Sequence, residues 1–263
     1  MRSDALSPLA AFFRPNAWRV FRRNMLAWQS YAWSSLAINI VEPFAYFVAL
    51  GFGLGAYFTV TGYGSLVQFI GPGLLGFTAM NTATFDASWG CFERRVFNGV
   101  YESMVTAPVH PLEIAAGEYL WQACRAVMYG SLFLAVLAIF GLGHTWWVLL
   151  CPFILALSGI MFAIPALFVS MIVKTQEHLF YYFSFVATPM AMIGGVFFPL
   201  DKLPHWALTI AWFTPLYHAV NIFRALVLGR VGPALFIDAA WMVGAIILLA
   251  HLPMRVIRQR LGN

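Results

Sequence analysis

Six long segments of this chain are apolar and almost free of charged side chains, a pattern that no soluble fold accommodates. They cover residues 33–58, 66–89, 120–140, 146–173, 179–198 and 234–252. A helix rises about 1.5 Å per residue and the hydrocarbon core of a bilayer is about 30 Å thick, so each segment is long enough to cross it. Only 10% of the residues are charged, against roughly 25% in soluble domains. We predict an all-α membrane protein with six spans, because open strand edges cannot be satisfied in lipid.

Loop charges predict the orientation of these spans. The basic loop and terminal residues are Arg2, Arg14, Arg19, Arg22, Arg23, Arg94, Arg95, Lys174, Arg255, Arg258 and Arg260. The intervening segments 59–65 and 141–145 carry no charge. This alternation predicts that both termini lie in the cytoplasm, and it explains the net charge of +5 without nucleic-acid binding.

We expect one domain over residues 1–263, with a cytoplasmic tail and interfacial helix at 1–32, the bundle at 33–252 and a second cytoplasmic tail at 253–263. Residues 14–30 are amphipathic: one face carries Trp18, Phe21, Met25 and Trp28, and another carries Arg19, Arg22 and Arg23. This pattern is typical of a helix that lies in the headgroup region. The alternative is a basic tail that only fixes topology.

Residues 199–233 are too long for a turn and too apolar for a water-filled loop. Pro199, Pro204 and Pro215 interrupt them. A seventh span would put the C-terminal arginines outside, so we predict a pair of short re-entrant or surface-lying helices on the outer side.

After Pro215, the residues His218, Asn221 and Arg224 recur every third position and share one helical face. They are candidates for capping a transport pathway on the outer side. The alternative is a face that is wetted by lipid headgroups.

No sequence motif supports nucleotide binding or catalysis. A P-loop needs GxxxxGK[ST], whereas the lysines of this chain, Lys174 and Lys202, do not follow a glycine. There is no HExxH or G-x-S-x-G, and the cysteines Cys91, Cys124 and Cys151 are isolated. We expect no metal site, no cofactor on this chain and no enzymatic activity of its own. Energy for transport must then come from a partner or an ion gradient.

The 89–112 loop predicts a short amphipathic helix over residues 91–106. One face carries Phe97, Val100, Tyr101 and Met104, and the opposite one carries Arg95, Asn98 and Glu102. Such a helix can rest on the membrane and present charges to a partner. An ordinary amphipathic connector is the alternative.

Ionisable residues inside spans are costly and usually face protein or a wet cavity. They are Glu42, Asp86, Glu118, Arg125 and Asp238. Glu42 is the deepest, and the Pro43 that follows it is expected to kink the helix. We interpret Glu42 as a hydrogen-bonding residue at a dimer seam or pathway, or as a brace to a backbone group or to Arg125.

Aromatic residues make up 17% of the chain. Two groups are candidates for lining a path for sugar rings or flat apolar ligands: Tyr46, Phe47, Phe52 and Tyr57 in the first span, and Phe180, Tyr181, Tyr182 and Phe185 in the fifth. Interfacial belts and core packing are the alternative role.

Three blocks of the sequence together resemble the ABC-2 type permeases, and among them the NodJ-like group, named for exporters of lipo-chitin oligosaccharides. The first block is Glu42-Pro43 followed by GFGLG at 51–55, and the second runs from Glu93-Arg94-Arg95 to Pro108. The third is GGVFFPLDKLP at 194–204, followed by PLYH at 215–218 and Arg224. The resemblance covers nearly the whole chain.

The resemblance implies a multi-pass permease of the bacterial inner membrane that forms a dimer, most simply a homodimer, and binds two copies of an ABC ATPase subunit that holds ATP and Mg. The implied coupling residues are Glu93, Arg94, Arg95, Asn98, Gly99, Tyr101 and Glu102. The implied pathway or dimer-seam residues are Glu42, Pro43, Tyr46, Phe52, Gly194, Gly195, Phe197 and Phe198. The implied outer region contains Pro199, Pro204, Pro215, His218, Asn221 and Arg224.

The expected function is ATP-driven export of a lipidic, glycolipid, oligosaccharide or hydrophobic drug-like substrate. Two alternatives stay open at this point. An ion-coupled carrier would need ion ligands within the membrane and usually internal repeats. An integral-membrane enzyme that modifies lipids would need a catalytic constellation.

Overall fold

A computed structural model of the chain describes residues 7–57, 59–60, 62–107, 109–200 and 203–261. Every regular element in these ranges is helical, which confirms the all-α part of the prediction. The motif residues Pro108, Asp201 and Lys202 lie outside the described residues.

The chain order of the helices is as follows. The α-helices are α1 (Pro8–Phe12), α2 (Pro15–Gln29), α3 (Ala32–Tyr46), α4 (Leu66–Phe85), α5 (Cys91–Val96), α6 (Val100–Thr106), α7 (Pro111–Ile139), α8 (Cys151–Ile172), α9 (Glu177–Tyr182), α10 (Thr188–Ile193), α11 (His205–Trp212), α12 (Pro215–Leu228), α13 (Ala234–Leu249) and α14 (His251–Leu261). π-Helical stretches extend or join them: Phe47–Leu54 after α3, Asp86–Gly90 between α4 and α5, and Phe183–Ala187 between α9 and α10. A 3₁₀ turn, Trp146–Leu150, leads into α8.

Among the described residues, four helical stretches are long and apolar enough to cross a membrane: Ala32–Leu54, Pro111–Ile139, Trp146–Ile172 and Ala234–Arg260. The predicted start of the third span at residue 120 is wrong. α7 begins nine residues earlier because His110 caps it: the His110 Nδ1 accepts from the Leu112 N–H at 3.2 Å, and Glu113 accepts from the His110 N–H at 2.8 Å. The predicted last span does not end at residue 252, since helix continues through α14.

α4 is the central helix, and almost all of its residues are buried by α7, α8 and α12. Close approach depends on glycine: a Cβ at Gly76 would lie 2.9 Å from Val220, and one at Gly73 would lie 3.0 Å from the Val196 carbonyl. Because protein rather than lipid surrounds it, this helix tolerates Thr78, whose hydroxyl donates to the Leu74 carbonyl at 2.7 Å.

The fifth apolar segment is shorter than predicted. Helix runs from residue 177 to Ile193, and the chain then turns at Gly195, whose φ is +76°. Residues 194–198 therefore do not continue the predicted span, because a left-handed backbone at Gly195 ends the helix.

Two apolar clusters hold the bundle together. The larger one lies around α4, α7, α8 and α12, with Phe133, Phe162 and Phe223 fully buried. The smaller one packs α2 and α14 against α7 and α8, around Tyr119 and Met171. Since α7 and α8 contribute residues to both clusters, these two helices connect them.

The amphipathic N-terminal segment is the helix α2, but it docks on α7 through small residues. Ala17 and Val20 are buried, and a Cβ at Gly117 of α7 would lie 2.5 Å from Val20. The predicted aromatic face is only partly used: Trp18 is 55% exposed, whereas the Trp28 Nε1 donates to the Tyr129 hydroxyl at 2.9 Å.

Residues 205–228 form two short helices, α11 and α12. Pro204 precedes the first one and Pro215 opens the second, where a missing N–H costs nothing. α12 is amphipathic and packs between α4 and α13. These are the short helices that the prolines predict.

Candidate functional site

A cavity of about 450 Å³ lies between α3, α4 and the stretch 183–198. Its lining residues are Glu42, Tyr46, Leu50, Phe77, Met80, Asn81, Phe183, Ala187, Thr188, Ala191, Met192, Phe197 and Phe198. Most of the wall is apolar, and its ionisable carboxylate is Glu42. Such a space fits a ligand with an apolar body and one or a few polar groups.

Glu42 is positioned by Asn81 of α4. The Asn81 Nδ2 donates to the Glu42 Oε2 at 2.8 Å, and Glu42 keeps an exposed edge at the cavity. The interpretation of Glu42 as a brace to Arg125 is wrong, because Arg125 pairs with Asp86 instead. Glu42 therefore retains acceptor capacity for a donor on a ligand or partner.

Three aromatic rings form one wall of the cavity. Tyr46 meets Phe77 edge-on at 5.8 Å between ring centroids and Phe197 at 5.7 Å, and Phe77 lies 5.9 Å from Phe197. Edge-to-face packing of this kind fixes the ring orientations. The wall is therefore a defined surface for a flat or apolar ligand.

The predicted pathway residues separate into two groups. Glu42, Tyr46, Phe197 and Phe198 line the cavity, whereas Pro43 is buried and the Phe52 ring packs against Phe47 and Phe140. Gly194 and Gly195 make the turn that presents Phe197, with a Cβ at Gly194 only 2.8 Å from Leu216.

The aromatic set predicted in the fifth segment is also corrected. Phe180 and Phe185 are 61% and 75% exposed, and Tyr182 is buried away from the cavity. Phe183 lines it instead, together with Phe197 and Phe198 at the end of the segment. The π-helical stretch that begins at Phe183 changes the side-chain register, which a regular 3.6-residue period does not predict.

A buried ion network joins α5 to α7 through the π-helical stretch 86–90. The Arg94 Nη2 lies 3.1 Å from the Asp86 Oδ2 and 3.0 Å from the Glu118 Oε2. The Arg125 Nη1 lies 3.7 Å from the Asp86 Oδ1. These four groups are at most 9% exposed, and their formal charges cancel. Cancelling charge makes burial tolerable, because an isolated buried charge costs several kcal/mol.

Neutral groups extend this network into α6. The Gln122 Nε2 donates to Asp86 at 2.6 Å, and the Tyr101 hydroxyl donates to the Glu118 Oε1 at 2.9 Å. Tyr101 is 1% exposed. A displacement of α6 would therefore move the Tyr101 hydroxyl relative to the Glu118 carboxylate of α7.

The predicted single helix over 91–106 is wrong. α5 ends at Val96, and α6 begins at Val100 after Gly99, which has a φ of +58°. Arg94 and Tyr101, predicted to face a partner, are buried in the ion network. Glu93, Asn98 and Glu102 remain exposed on either side of the break.

Arg95 also points inward rather than to a partner. Its Nη2 donates to the carbonyls of Ser170 at 2.7 Å and Val173 at 2.6 Å, and the Arg260 Nη2 donates to Ile172 at 3.1 Å. Two arginines thus satisfy the last carbonyls of α8, where a cation also complements the helix dipole.

At the end of the bundle opposite the ion network, two residues of the predicted outer face are buried. The His218 Nδ1 lies 2.6 Å from the Asp238 Oδ1, and its ring stacks on Trp241 at 4.3 Å. Arg224 is 8% exposed and donates to the carbonyls of Phe69 and Gly195. The interpretation as a face wetted by headgroups is therefore wrong for His218, while Asn221 stays partly accessible.

Within the described residues no cluster of His, Cys, Asp and Glu could hold a metal ion. Sequence reasoning flagged Asp86, Glu118 and Arg125 as costly but missed their connection to Arg94. It also missed Asn81, although a polar residue within an apolar segment was an available signal.

Comparisons with known proteins agree with this architecture. The family model described as ABC-2 type transporter matches residues 15–228. The chain is 32% identical over 237 residues to nodulation protein J of Rhizobium leguminosarum bv. trifolii, covering 89% of this chain and 88% of that protein. It is 32% identical over 235 residues to nodulation protein J of Bradyrhizobium diazoefficiens, with 89% and 88% covered. It is 27% identical over 197 residues to the inner membrane transport permease YadH of Escherichia coli, with 74% and 76% covered.

Proposed function

This chain belongs to the ABC-2 type transporter family, and from that membership we propose that it is the permease subunit of an exporter driven by a separate ATPase. The resemblance drawn from its motifs is thereby confirmed. The proposal covers what membership alone leaves open: the number of spans, the substrate class, the partner and the direction of transport.

We take the bundle to have six spans in the inner membrane. Beyond the four long apolar helices, α4 is long but rich in glycine and polar residues because other helices enclose it, and the stretch 177–193 is short. With both included, the termini share the cytoplasmic side, and α11 and α12 are re-entrant helices on the outer side. Labelling with a membrane-impermeant thiol reagent tests this: a cysteine at His144 should react in intact cells, and one at Asn98 only after lysis.

The cavity is the observation that carries the substrate proposal. Its apolar wall and the Glu42–Asn81 pair fit an amphiphile, such as a lipid-linked sugar or a hydrophobic drug-like molecule with a hydrogen-bond donor. Because the cavity lies between α3 and the 183–198 stretch, we place it on the pathway or at the seam with a second copy of this chain, in a homodimer.

The ATPase contact is proposed at the break between α5 and α6. Glu93, Asn98 and Glu102 are exposed there, and the buried Tyr101 beside them reaches Glu118 of α7. A partner that moves α6 would thus act on the transmembrane bundle through the ion network. ATP and Mg would be held by the partner, two copies of which would serve the dimer.

The test uses purified permease in lipid nanodiscs with the cognate ATPase. The permease should co-purify with the ATPase and raise its ATP hydrolysis, and Glu102→Arg should abolish both effects. Glu177→Arg, the same charge change at an exposed site on α9, is the matched control. Unchanged binding and stimulation with Glu102→Arg would reject the coupling surface. Solute movement by the permease alone along an ion gradient would reject ATP-driven transport.

A further inference from the structure

A second, smaller pocket lies at the opposite end of α4 from the ion network. It has a volume of about 140 Å³ and is lined by Tyr63, Asn221, Arg224, Ala225 and Arg230. A water molecule takes up about 30 Å³ in the liquid, so the pocket has room for a compact group of a few heavy atoms. Two of its five lining residues are arginines, which is unusual in a chain with 10% charged residues.

Arg224 is a buried cation held without a carboxylate partner among the described residues. Its Nη2 donates to the carbonyls of Phe69 at 3.2 Å and Gly195 at 2.9 Å, and its guanidinium lies 4.0 Å from the centre of the Phe69 ring. Its Nε has no hydrogen-bond partner in the described part of the chain. Carbonyls and rings orient the group, but they do not neutralise its charge.

Arg230 brings a second positive charge to the same pocket. It is exposed, its Nη1 donates to the Gly62 carbonyl, and its guanidinium lies 5.2 Å from the Tyr63 ring that Arg224 approaches from 5.5 Å. No ion pair between Arg230 and a carboxylate is found in the described ranges. The two guanidiniums near this ring carry like charges and repel each other. An anion between them would be attracted to both.

We propose that this pocket binds a phosphate group. Guanidinium forks match phosphate oxygens, and the amide of Asn221 and the hydroxyl of Tyr63 add neutral donors beside them. The apolar cavity at Glu42 lacks such cations, so the two sites take different chemistry. Binding by itself does not depend on the proposed transport function. The position of the pocket on the outer side does depend on the proposed function, because this position follows from the six-span orientation.

The phosphate can come from a lipid headgroup or from a free ion, and the probes distinguish the two sources. Purified protein in detergent, without ATPase, is titrated with inorganic phosphate, with dihexanoyl phosphatidylglycerol and with dihexanoylglycerol at constant ionic strength. Thermal unfolding followed by intrinsic fluorescence reports binding, because a ligand of the folded state raises the melting temperature with concentration. We expect a shift with the phosphate-bearing probes and none with dihexanoylglycerol. Tighter binding of the lipid than of inorganic phosphate would assign the headgroup as the source, and the reverse would assign the free ion.

Two variants test the pocket while leaving the buried Arg224 in place. Arg230→Gln should weaken binding of the phosphate-bearing probe at least tenfold, and Asn221→Asp should abolish it by placing a carboxylate beside the arginines. Arg22→Gln, an exposed arginine on α2, is the matched control and should bind like the unchanged protein. The proposal is overturned if no phosphate-bearing probe shifts the melting temperature, or if both pocket variants bind as tightly as the control. Loss of ATP-driven transport with binding intact would count against the proposed function and not against this site.

Discussion

Arg94 and Glu118 lie 24 residues apart in the chain, and their side chains meet at 3.0 Å in the interior of the bundle. The contact ties α5, which leads to the proposed ATPase surface, to α7, which runs through both apolar clusters. Asp86 and Arg125 balance the pair electrically. We regard this network as the link between the proposed ATPase surface and the bundle.

Arg94→Met should destabilise the protein strongly. It leaves Asp86 and Glu118 buried with one remaining arginine, and removing one member of a buried ion group costs about 3–5 kcal/mol. The measurement is the melting temperature in detergent together with the monodisperse fraction in size-exclusion chromatography. Arg22→Met, the same change at an exposed site, should have little effect. Equal stability of the two variants would show that the network carries no stabilising role.

Glu42→Gln should preserve folding and alter ligand binding. The amide keeps an acceptor oxygen for Asn81, so the 2.8 Å contact can persist while the negative charge is lost. For an amphiphile with a cationic or donor group, we expect about tenfold weaker binding, equivalent to about 1.4 kcal/mol. Fluorescence quenching of the protein by a labelled substrate measures it, with Glu177→Gln as control. Unchanged affinity would place the ligand elsewhere.

Sequence patterns predicted the elements of this fold better than the contacts between them. The helical period of residues 14–30 predicted α2, but not that Ala17 and Val20 dock on α7 beside Phe21 and Trp28 of the aromatic stripe. Pro215 predicted the short helix that follows it, α12, whereas Pro204, which precedes α11, was predicted only to interrupt the segment. These local signals succeed because capping and backbone restrictions act within one turn.

The contacts of the candidate site depend on features without a local signal. Arg94 and Arg95 were predicted to present charge to a partner from a separate short helix over 91–106, yet helix continues from α4 through Asp86–Gly90 into α5, and both arginines turn inward. A π-helical stretch shifts the register of every residue after it, and composition does not mark it. Phe183, at which another such stretch begins, lines the cavity, whereas Phe185 within the stretch is 75% exposed. A carboxylate in an apolar span requires a partner or a wet cavity, and Glu42 has Asn81 as a partner and borders the cavity, while its role at a pathway or seam stays a prediction.

Gly117→Ala should destabilise the contact between α2 and α7. The added Cβ would lie 2.5 Å from the Val20 Cβ and 2.8 Å from the Ala17 carbonyl, so the helices must separate. Overpacking of this kind costs about 1–3 kcal/mol. Gly244→Ala is the matched control: apart from its own helix backbone and chain neighbours, no described atom lies within 4 Å of its added Cβ, and alanine favours α13 by about 1 kcal/mol. Thermal unfolding of both variants gives the comparison.

A double-mutant cycle with Val20→Ala sharpens this prediction. Removing the Val20 methyl groups relieves the 2.6 Å contact with Cγ1 and should recover part of the loss in Gly117→Ala. The parts that come from the Val20 Cβ, which alanine keeps, and from the Ala17 carbonyl should remain. If the two changes add without coupling, or if Gly117→Ala is as stable as Gly244→Ala, the close packing of α2 on α7 is contradicted.

His110 should make the start of α7 sensitive to mild acid. Its Nδ1 accepts from the Leu112 N–H, so the cap requires the neutral ring. Burial lowers the pKa of His110 below 6.5. Arg258 and Arg14 also lower this pKa, whereas Glu113 raises it. A histidine whose folded pKa lies below its unfolded value binds protons more readily when unfolded. Its contribution to stability is therefore complete above pH 6.5 and is lost as the pH falls through the folded pKa.

His110→Asn keeps a capping acceptor that does not titrate, and such caps contribute about 1 kcal/mol. We expect the difference in melting temperature between pH 7.5 and pH 5.0 to be smaller in His110→Asn than in the unchanged protein, with His144→Asn as a control at an exposed site. An identical pH dependence in all three proteins would show that the His110 cap does not respond to protonation.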